Sequence, residues 1–179
     1  GMFRFNAGME QKTIPDYNPY TIKRCKDCDM NNGKMKLVFV PENELCAACK
    51  LVRELAKADA KQTRAAAKPL QGTIIRNTHF HHDVNITGTS IREWTNQPHK
   101  HFKAKNQMLL DINNVFSNAT YLGTTDNHKG IKRVVQSHIF EVEVSGEKSL
   151  LIVREYDWGE YVLHSISDSP ELYNKIKKE

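Results

Sequence analysis

Four cysteines stand in two C-x-x-C pairs, Cys25 and Cys28 in CKDC and Cys46 and Cys49 in CAAC, with 17 residues between the pairs. Each pair sets two thiolates on one side of a tight knuckle, and two knuckles close a tetrahedron around a soft d10 ion such as zinc. Iron accepts the same ligand set. In a reducing cytoplasm these thiols do not compete as disulfides.

The histidines are placed differently. All eight lie between His79 and His164. In NQPHKHFKAKNQMLLDINNVF, residues 96–116, a helical repeat puts Phe102, Leu109, Ile112 and Phe116 on one stripe, with Pro98 in the first turn. Lys105 then points into that stripe, His101 sits one turn before it, and His99 flanks it. Ionisable groups on a helix face that should be apolar motivate a functional reading of this segment. HFHHD could present His79 and His81 from one strand face, but a solvated histidine cluster is the favoured reading, and no metal is assigned to it.

These groups need a scaffold. Between the cysteine pairs KMKLVFV reads as a strand, and after Cys46 a run of strong helix formers continues to Pro69. After the helix at 98–116, NATYLGTTDNHKG gives a short strand and loop. Three stronger strands follow at 132–144, 148–156 and 160–167, joined by turns short enough only for hairpins. Phe140, Val142 and Val144 alternate with Glu141 and Glu143, and His138 shares parity with the apolar set. The last segment reads as a helix with Ser169 ahead of Pro170. The fold class expected is α+β: a four-cysteine segment, then a helix with a four-stranded antiparallel meander.

The boundaries expected are 2–68 for the cysteine module with its following helix, 69–85 for a linker, and 86–179 for the second module. Gly1 ahead of Met2 reads as a cleavage scar. The net charge of +5 is N-terminal in origin, since residues 1–89 hold 14 Lys/Arg against 9 Asp/Glu and residues 90–179 hold 12 against 12. A basic half suits a polyanionic partner and equally a solvated surface with a few spare lysines. No apolar run reaches the ~20 residues of a membrane span, and no basic-then-apolar leader opens the chain, so a cytoplasmic protein is expected.

The cysteine spacing and LCAAC resemble GATA-type fingers over about residues 23–55, without the tryptophan and arginine of the GATA hairpin. That likeness implies a zinc staple rather than sequence-specific DNA reading. Farther on, ITGTSIREWTNQPHKHFKAKNQMLLDI, NATYLG, HKG, SHIFEVEV and YVLHSIS resemble phage-encoded members of the barnase, EndoU, colicin and RelE-like nuclease superfamily, over roughly residues 86–170. The resemblance implies RNA cleavage without a catalytic metal. A base takes the ribose 2′-hydroxyl proton, an acid protonates the leaving 5′-oxygen, and cations stabilise the phosphorane. The catalytic candidates are His99, His101, Lys105, His138 and Ser165, and the substrate-binding candidates are Lys129, Arg133, Arg154, His164 and Ser167. If the site lies on the sheet face away from the helix, Glu141 and Glu143 are the better bases. The implied partners are RNA and either an immunity protein or a phage head protein, with no membrane. Two alternatives are a non-catalytic, zinc-containing phage or mobile-element protein that binds nucleic acid or a capsid partner, and a small metal-dependent enzyme built on HFHHD.

Overall fold

The computed structural model describes residues 20–23, 38–41 and 47–177. The chain divides into two compact units, Gly1–Lys57 and Ala58–Glu179. In the first, β1 (Tyr20–Lys23) pairs antiparallel with β2 (Val38–Pro41), which lies at the end of the strand expected between the cysteine pairs. Helix α1 (Ala47–Ala67) starts directly after Cys46, takes in Cys49 and stops before Pro69, as the run of helix formers requires, and a 3-10 turn at Lys68–Leu70 follows. Cys25, Cys28 and Cys46 lie outside the described residues. Cys49 is buried near the start of α1.

The second unit is an α+β layer. Its sheet has six strands in the order β3-β4-β8-β7-β6-β5, built from β3 (Ile74–Ile75), β4 (Val84–Asn85), β5 (Thr120–Asp126), β6 (Val134–Val144), β7 (Glu147–Tyr156) and β8 (Tyr161–Ser167). The last four form the antiparallel meander read from the sequence. The addition is β3 and β4, with β4 running parallel to β8. Residues 69–85 are therefore no linker. Their backbone extends the sheet, and Ile75, Phe80 and Val84 enter the core.

Helix α2 (Gly88–Asn96) begins at a capping box: the Thr87 hydroxyl accepts from the Ser90 amide at 3.1 Å, and the Ser90 hydroxyl accepts from the Thr87 amide at 3.0 Å. The helix expected from Pro98 onward starts only at Phe102. Pro98 follows the C-cap Gln97 of α2 and lies outside any helix. The apolar stripe is divided at Asp111 between α3 (Phe102–Leu110) and α4 (Ile112–Asn118). There the Asp111 amide bonds the Met108 carbonyl three residues back, a tightened turn. Leu109, Ile112 and Phe116 still reach the core, where they meet Trp94, Phe140, Leu151 and Leu163. Each such side chain contributes roughly 1.5–3 kcal/mol on burial.

Helices α2, α3 and α4 cover one sheet face. Over the other lies α5 (Pro170–Asn174), whose Tyr173 hydroxyl donates to Glu141 Oε2 at 3.0 Å. The chain then returns to β5, where the Thr124 amide bonds the Lys177 carbonyl at 3.0 Å. Gly123 permits that approach: its φ is +138°, and a Cβ there would overlap the Lys177 carbonyl oxygen.

Candidate functional site

The residues at 99–105 form a structural hub. Lys105 is 1 % exposed, and its Nζ donates to the carbonyls of Trp94 at 2.8 Å, Thr95 at 3.3 Å and Gln97 at 2.8 Å. Those carbonyls end α2, so the ammonium caps a helix C-terminus with all three donors in use. Burial draws its pKa down to about 8 against the pull of Asp59 and Asp168, which leaves it charged at neutral pH. His99 is buried between the helices and β7. Its Nδ1 accepts from the His101 amide at 2.8 Å, so the proton of the neutral ring is on Nε2, which faces the Ser149 hydroxyl at 2.9 Å. That tautomer cannot take the proton of Ser149. Burial lowers the His99 pKa, partly opposed by Asp168, which agrees with a neutral ring. His101, the N-cap residue of α3, meets Glu147 at 2.8 Å. Lys100 reaches the other oxygen of Glu147 at 3.3 Å, and these hydrogen bonds hold that carboxyl below the usual range.

His138 belongs to a second network on the helix-covered face of the sheet. Its Nε2 lies 2.7 Å from Glu155 Oε1, and its Nδ1 lies 2.9 Å from the Tyr121 hydroxyl. Burial pushes Glu155 up, but hydrogen bonds from Gln136 and His138 outweigh it, and the carboxyl sits below its ordinary pKa. An ionised carboxylate only accepts, so Nε2 carries the proton and Nδ1 accepts from Tyr121 in the neutral ring. Phe80 packs against the rings of His138, Tyr121 and Tyr161. With 6 % exposure and both nitrogens engaged, His138 ties three strands together. Glu155 was findable: it shares parity with Leu151 and Val153, diagonal to His138 across the hairpin.

The opposite face holds a different arrangement. Ile152 pairs with Ser165 and Val153 with Leu163, so His164 is the extra residue of a β-bulge. Bulges re-aim side chains and recur beside active sites. Burial and the charges of Arg154 and Lys129 together bring the His164 pKa down to about 4. Arg154 extends from β7 and Lys129 from the exposed turn after β5. Among the described residues none of the three side chains has a hydrogen-bond or ion-pair partner. The imidazole thus stands in the field of two cations, an arrangement whose charge would suit an anion.

The remaining candidates are engaged or enclosed. Ser165 is 4 % exposed, and the Ser167 hydroxyl accepts from the Ser169 amide at 3.1 Å. Arg133 is paired with Asp157 at 3.1 Å and lies 5.0 Å from the centre of the Trp158 ring. Glu141 takes the Tyr173 hydroxyl and approaches Lys148 at 3.7 Å, whereas Glu143 is exposed. His79 and His81 are exposed on irregular chain rather than on a strand.

Residues 54–172, well over half of the chain, match the family model of large polyvalent protein-associated domain 3. The chain belongs to that family. A search of curated proteins and a search of solved structures returned no match. The polyvalent protein-associated domain so delimited contains the sheet, both histidine networks and the bulge at His164, while the four cysteines precede it. No described helix is long and apolar enough to cross a membrane.

At the β3–β4 edge the domain also carries an open groove of ≈ 630 Å³, walled by residues 81–85 and by the β7–β8 turn. His82 lies flat on Tyr161, ring centres 4.2 Å apart, and Glu160 accepts from Trp158 Nε1 at 3.0 Å and from Asn85 at 2.8 Å. Sequence reasoning missed this groove, because Glu160 and residues 81–85 are 75 positions apart and meet only through the parallel pairing of β4 with β8.

Proposed function

We propose that the second unit is a metal-independent ribonuclease acting through attack of the ribose 2′-hydroxyl, with Arg154, Lys129 and His164 as its working residues. The observation that carries this reading is the His164 bulge on β8, with the charges of Arg154 and Lys129 acting on its ring. The likeness of residues 86–170 to the nuclease superfamily points the same way. In this reading the scissile phosphate sits against Arg154 and Lys129, and its charge relieves the field that depresses His164. His164 then takes the 2′-hydroxyl proton as the O2′–P bond forms. The P–O5′ bond breaks, and the 5′-oxygen receives a proton from the Lys129 ammonium, leaving a 2′,3′-cyclic phosphate and a 5′-hydroxyl. His99, His101, Lys105 and His138 support the fold around this site and take no part in the chemistry.

The experiment is incubation of purified full-length protein with tRNA and total RNA, with and without EDTA, beside 2′-deoxy substrates. RNA should be cut in both conditions and DNA should survive, because DNA lacks the nucleophile. Lys129→Arg keeps the charge but not a transferable proton, so it should retain RNA binding and lose about 10²-fold or more in rate. RNA left intact at high protein concentration overturns the enzymatic reading.

A second reading, a binding module that uses the same cations without proton transfer, draws on the family itself, a phage and mobile-element associated domain. It would serve RNA, an immunity protein or a phage head protein as partner, in a cytoplasmic setting. RNA binding that needs Arg154 and is never followed by cleavage would favour it.

We also propose structural zinc at Cys25, Cys28, Cys46 and Cys49. Cys49, buried near the start of α1, stands where a knuckle handing its last ligand to a helix would place it. Elemental analysis should give about one zinc per chain. A metal-free, stably folded first unit overturns this assignment.

A further inference from the structure

We infer that the groove between residues 81–85 and the β7–β8 turn is a subsite for one unpaired nucleobase bearing an exocyclic amine, read by the carboxylate of Glu160. The inference rests on the ribonucleic-acid reading above for the nature of the ligand, and on separate residues for its geometry.

Three features fit a base. His82 is exposed on the groove wall, its ring stacked on Tyr161 at 4.2 Å and met by Phe80 at 5.1 Å, so a supported aromatic surface lines the groove. Stacking on such a ring is available to every base and orients it edge-on to the wall. Trp158, 52 % exposed, also lines the groove, its ring held by stacking on Tyr156 at 4.6 Å. The ≈ 630 Å³ of the groove lies within the roughly 300–1,000 Å³ usual for small-ligand sites.

The fourth feature supplies discrimination. Glu160 is pinned by Asn85 on Oε2 and by the Trp158 indole on Oε1, one donor on each oxygen. A carboxylate has about four acceptor positions, so acceptor capacity remains on a group that is already oriented. Cytosine, adenine and guanine each offer an amino N–H to such an acceptor. Uracil offers only N3–H, flanked by two carbonyl oxygens that repel the carboxylate. A phosphate is excluded from the same position by charge.

The neighbouring ions are already matched: Asp83 is bonded to Arg76 at 2.8 Å and Asp157 to Arg133 at 3.1 Å, so Glu160 is the carboxylate left to a ligand. A cationic side chain is therefore the rival occupant, and the test sets an arginine-rich peptide against the nucleosides.

The test uses the four ribonucleosides, which lack phosphate and so do not engage Arg154 and Lys129. They are titrated into full-length protein while the Trp158 indole and Gly159 amide signals are followed by NMR. Cytidine, adenosine and guanosine should shift both signals, with uridine weaker by about tenfold or more. Glu160→Gln should cut that discrimination severalfold. Should Glu160→Gln fail to fold, His82→Ala serves instead and should weaken all amino-bearing nucleosides alike by removing the stacking surface. Equal response to all four nucleosides, absence of any shift in the groove, or displacement by an arginine-rich peptide at lower concentration than by cytidine overturns the inference. Failure of the ribonuclease reading is distinguishable: nucleosides that bind with this preference while RNA stays intact leave the subsite standing and remove the enzyme. Cleavage with no nucleoside preference does the reverse.

Discussion

Trp94 and Lys105 are joined by two hydrogen bonds of opposite sense, the indole Nε1 donating to the Lys105 carbonyl at 2.9 Å and the Lys105 Nζ donating to the Trp94 carbonyl at 2.8 Å. Both side chains are fully buried, so each satisfies a backbone acceptor that water does not reach. The pair locks the end of α2 to the first turns of α3. Lys105→Met keeps the stem and removes the donors, stranding the carbonyls of Trp94, Thr95 and Gln97. The loss should be about 3 kcal/mol, or roughly 6–12 °C in Tm, read by thermal or urea unfolding. Activity per folded molecule should not change. A folded, stable variant that has lost RNA cleavage would return Lys105 to the catalytic set.

His138→Ala should act on stability as well. It removes a ring packed against Phe80 and takes one hydrogen bond from Glu155, which keeps that from Gln136, and one from the Tyr121 hydroxyl. A cost of roughly 2–4 kcal/mol follows from the cavity together with the lost hydrogen bonds. Glu155→Gln keeps the volume, so it should be milder. A His138→Ala protein with unchanged Tm and much slower RNA cleavage would move the chemistry to the helix-covered face.

Acid should destabilise the second unit through His164. Its folded pKa of about 4 lies below the unfolded value of 6.5, so between those limits the unfolded chain binds a proton that the folded chain refuses. Stability contributed by the neutral ring is complete above pH 6.5, is lost as pH falls toward 4, and changes no further below that. The slope should be at most about 1 kcal/mol per pH unit, less than the single-proton limit because the ring is partly solvated. His164→Gln should flatten it, leaving the smaller contribution of buried His99, whose pKa is lowered too. Urea midpoints measured from pH 7 to pH 4 give the comparison. An undiminished slope in the variant would place the acid sensitivity elsewhere.

The meander was legible because each strand alternates with period two and its turns are too short for anything but hairpins. The helical stripe was legible as well, since Leu109, Ile112 and Phe116 keep their spacing across the break at Asp111. The start of α3 was not. Pro98 is compatible with a first helical turn, but α2 already ends at Asn96 under the Lys105 cap, and that cap joins residues whose pairing no local pattern encodes. The two-residue strands β3 and β4 carry too little alternation to read, and they exist because β8 offers them an edge. At the candidate site, residue types were legible and partners were not. His164, Arg154 and Lys129 were candidates from the sequence, but the bulge at His164 and the action of both cations on its ring were not, nor was the use of His99, His101 and Lys105 in hydrogen bonds within the fold.

Inorganic phosphate should raise the pKa of His164. The two cations that help hold it near 4 are the groups an anion would neutralise, so a bound phosphate removes their contribution and leaves only the part owed to burial. Following the His164 ring signal by NMR against pH, the titration midpoint should move upward from about 4 toward, without reaching, the ordinary 6.5 as phosphate is added. High salt should weaken the response, because Lys129 is exposed and its field is screened over about 8–10 Å at physiological ionic strength. Arg154→Gln should raise the midpoint in the absence of phosphate and shrink the further rise on adding it. The two effects move the same signal by separate routes, so together they distinguish an anion site from mere burial. A midpoint indifferent to both phosphate and Arg154→Gln would mean that desolvation alone sets the histidine. The proposed proton-transfer cycle would then lose its link between substrate binding and an active base.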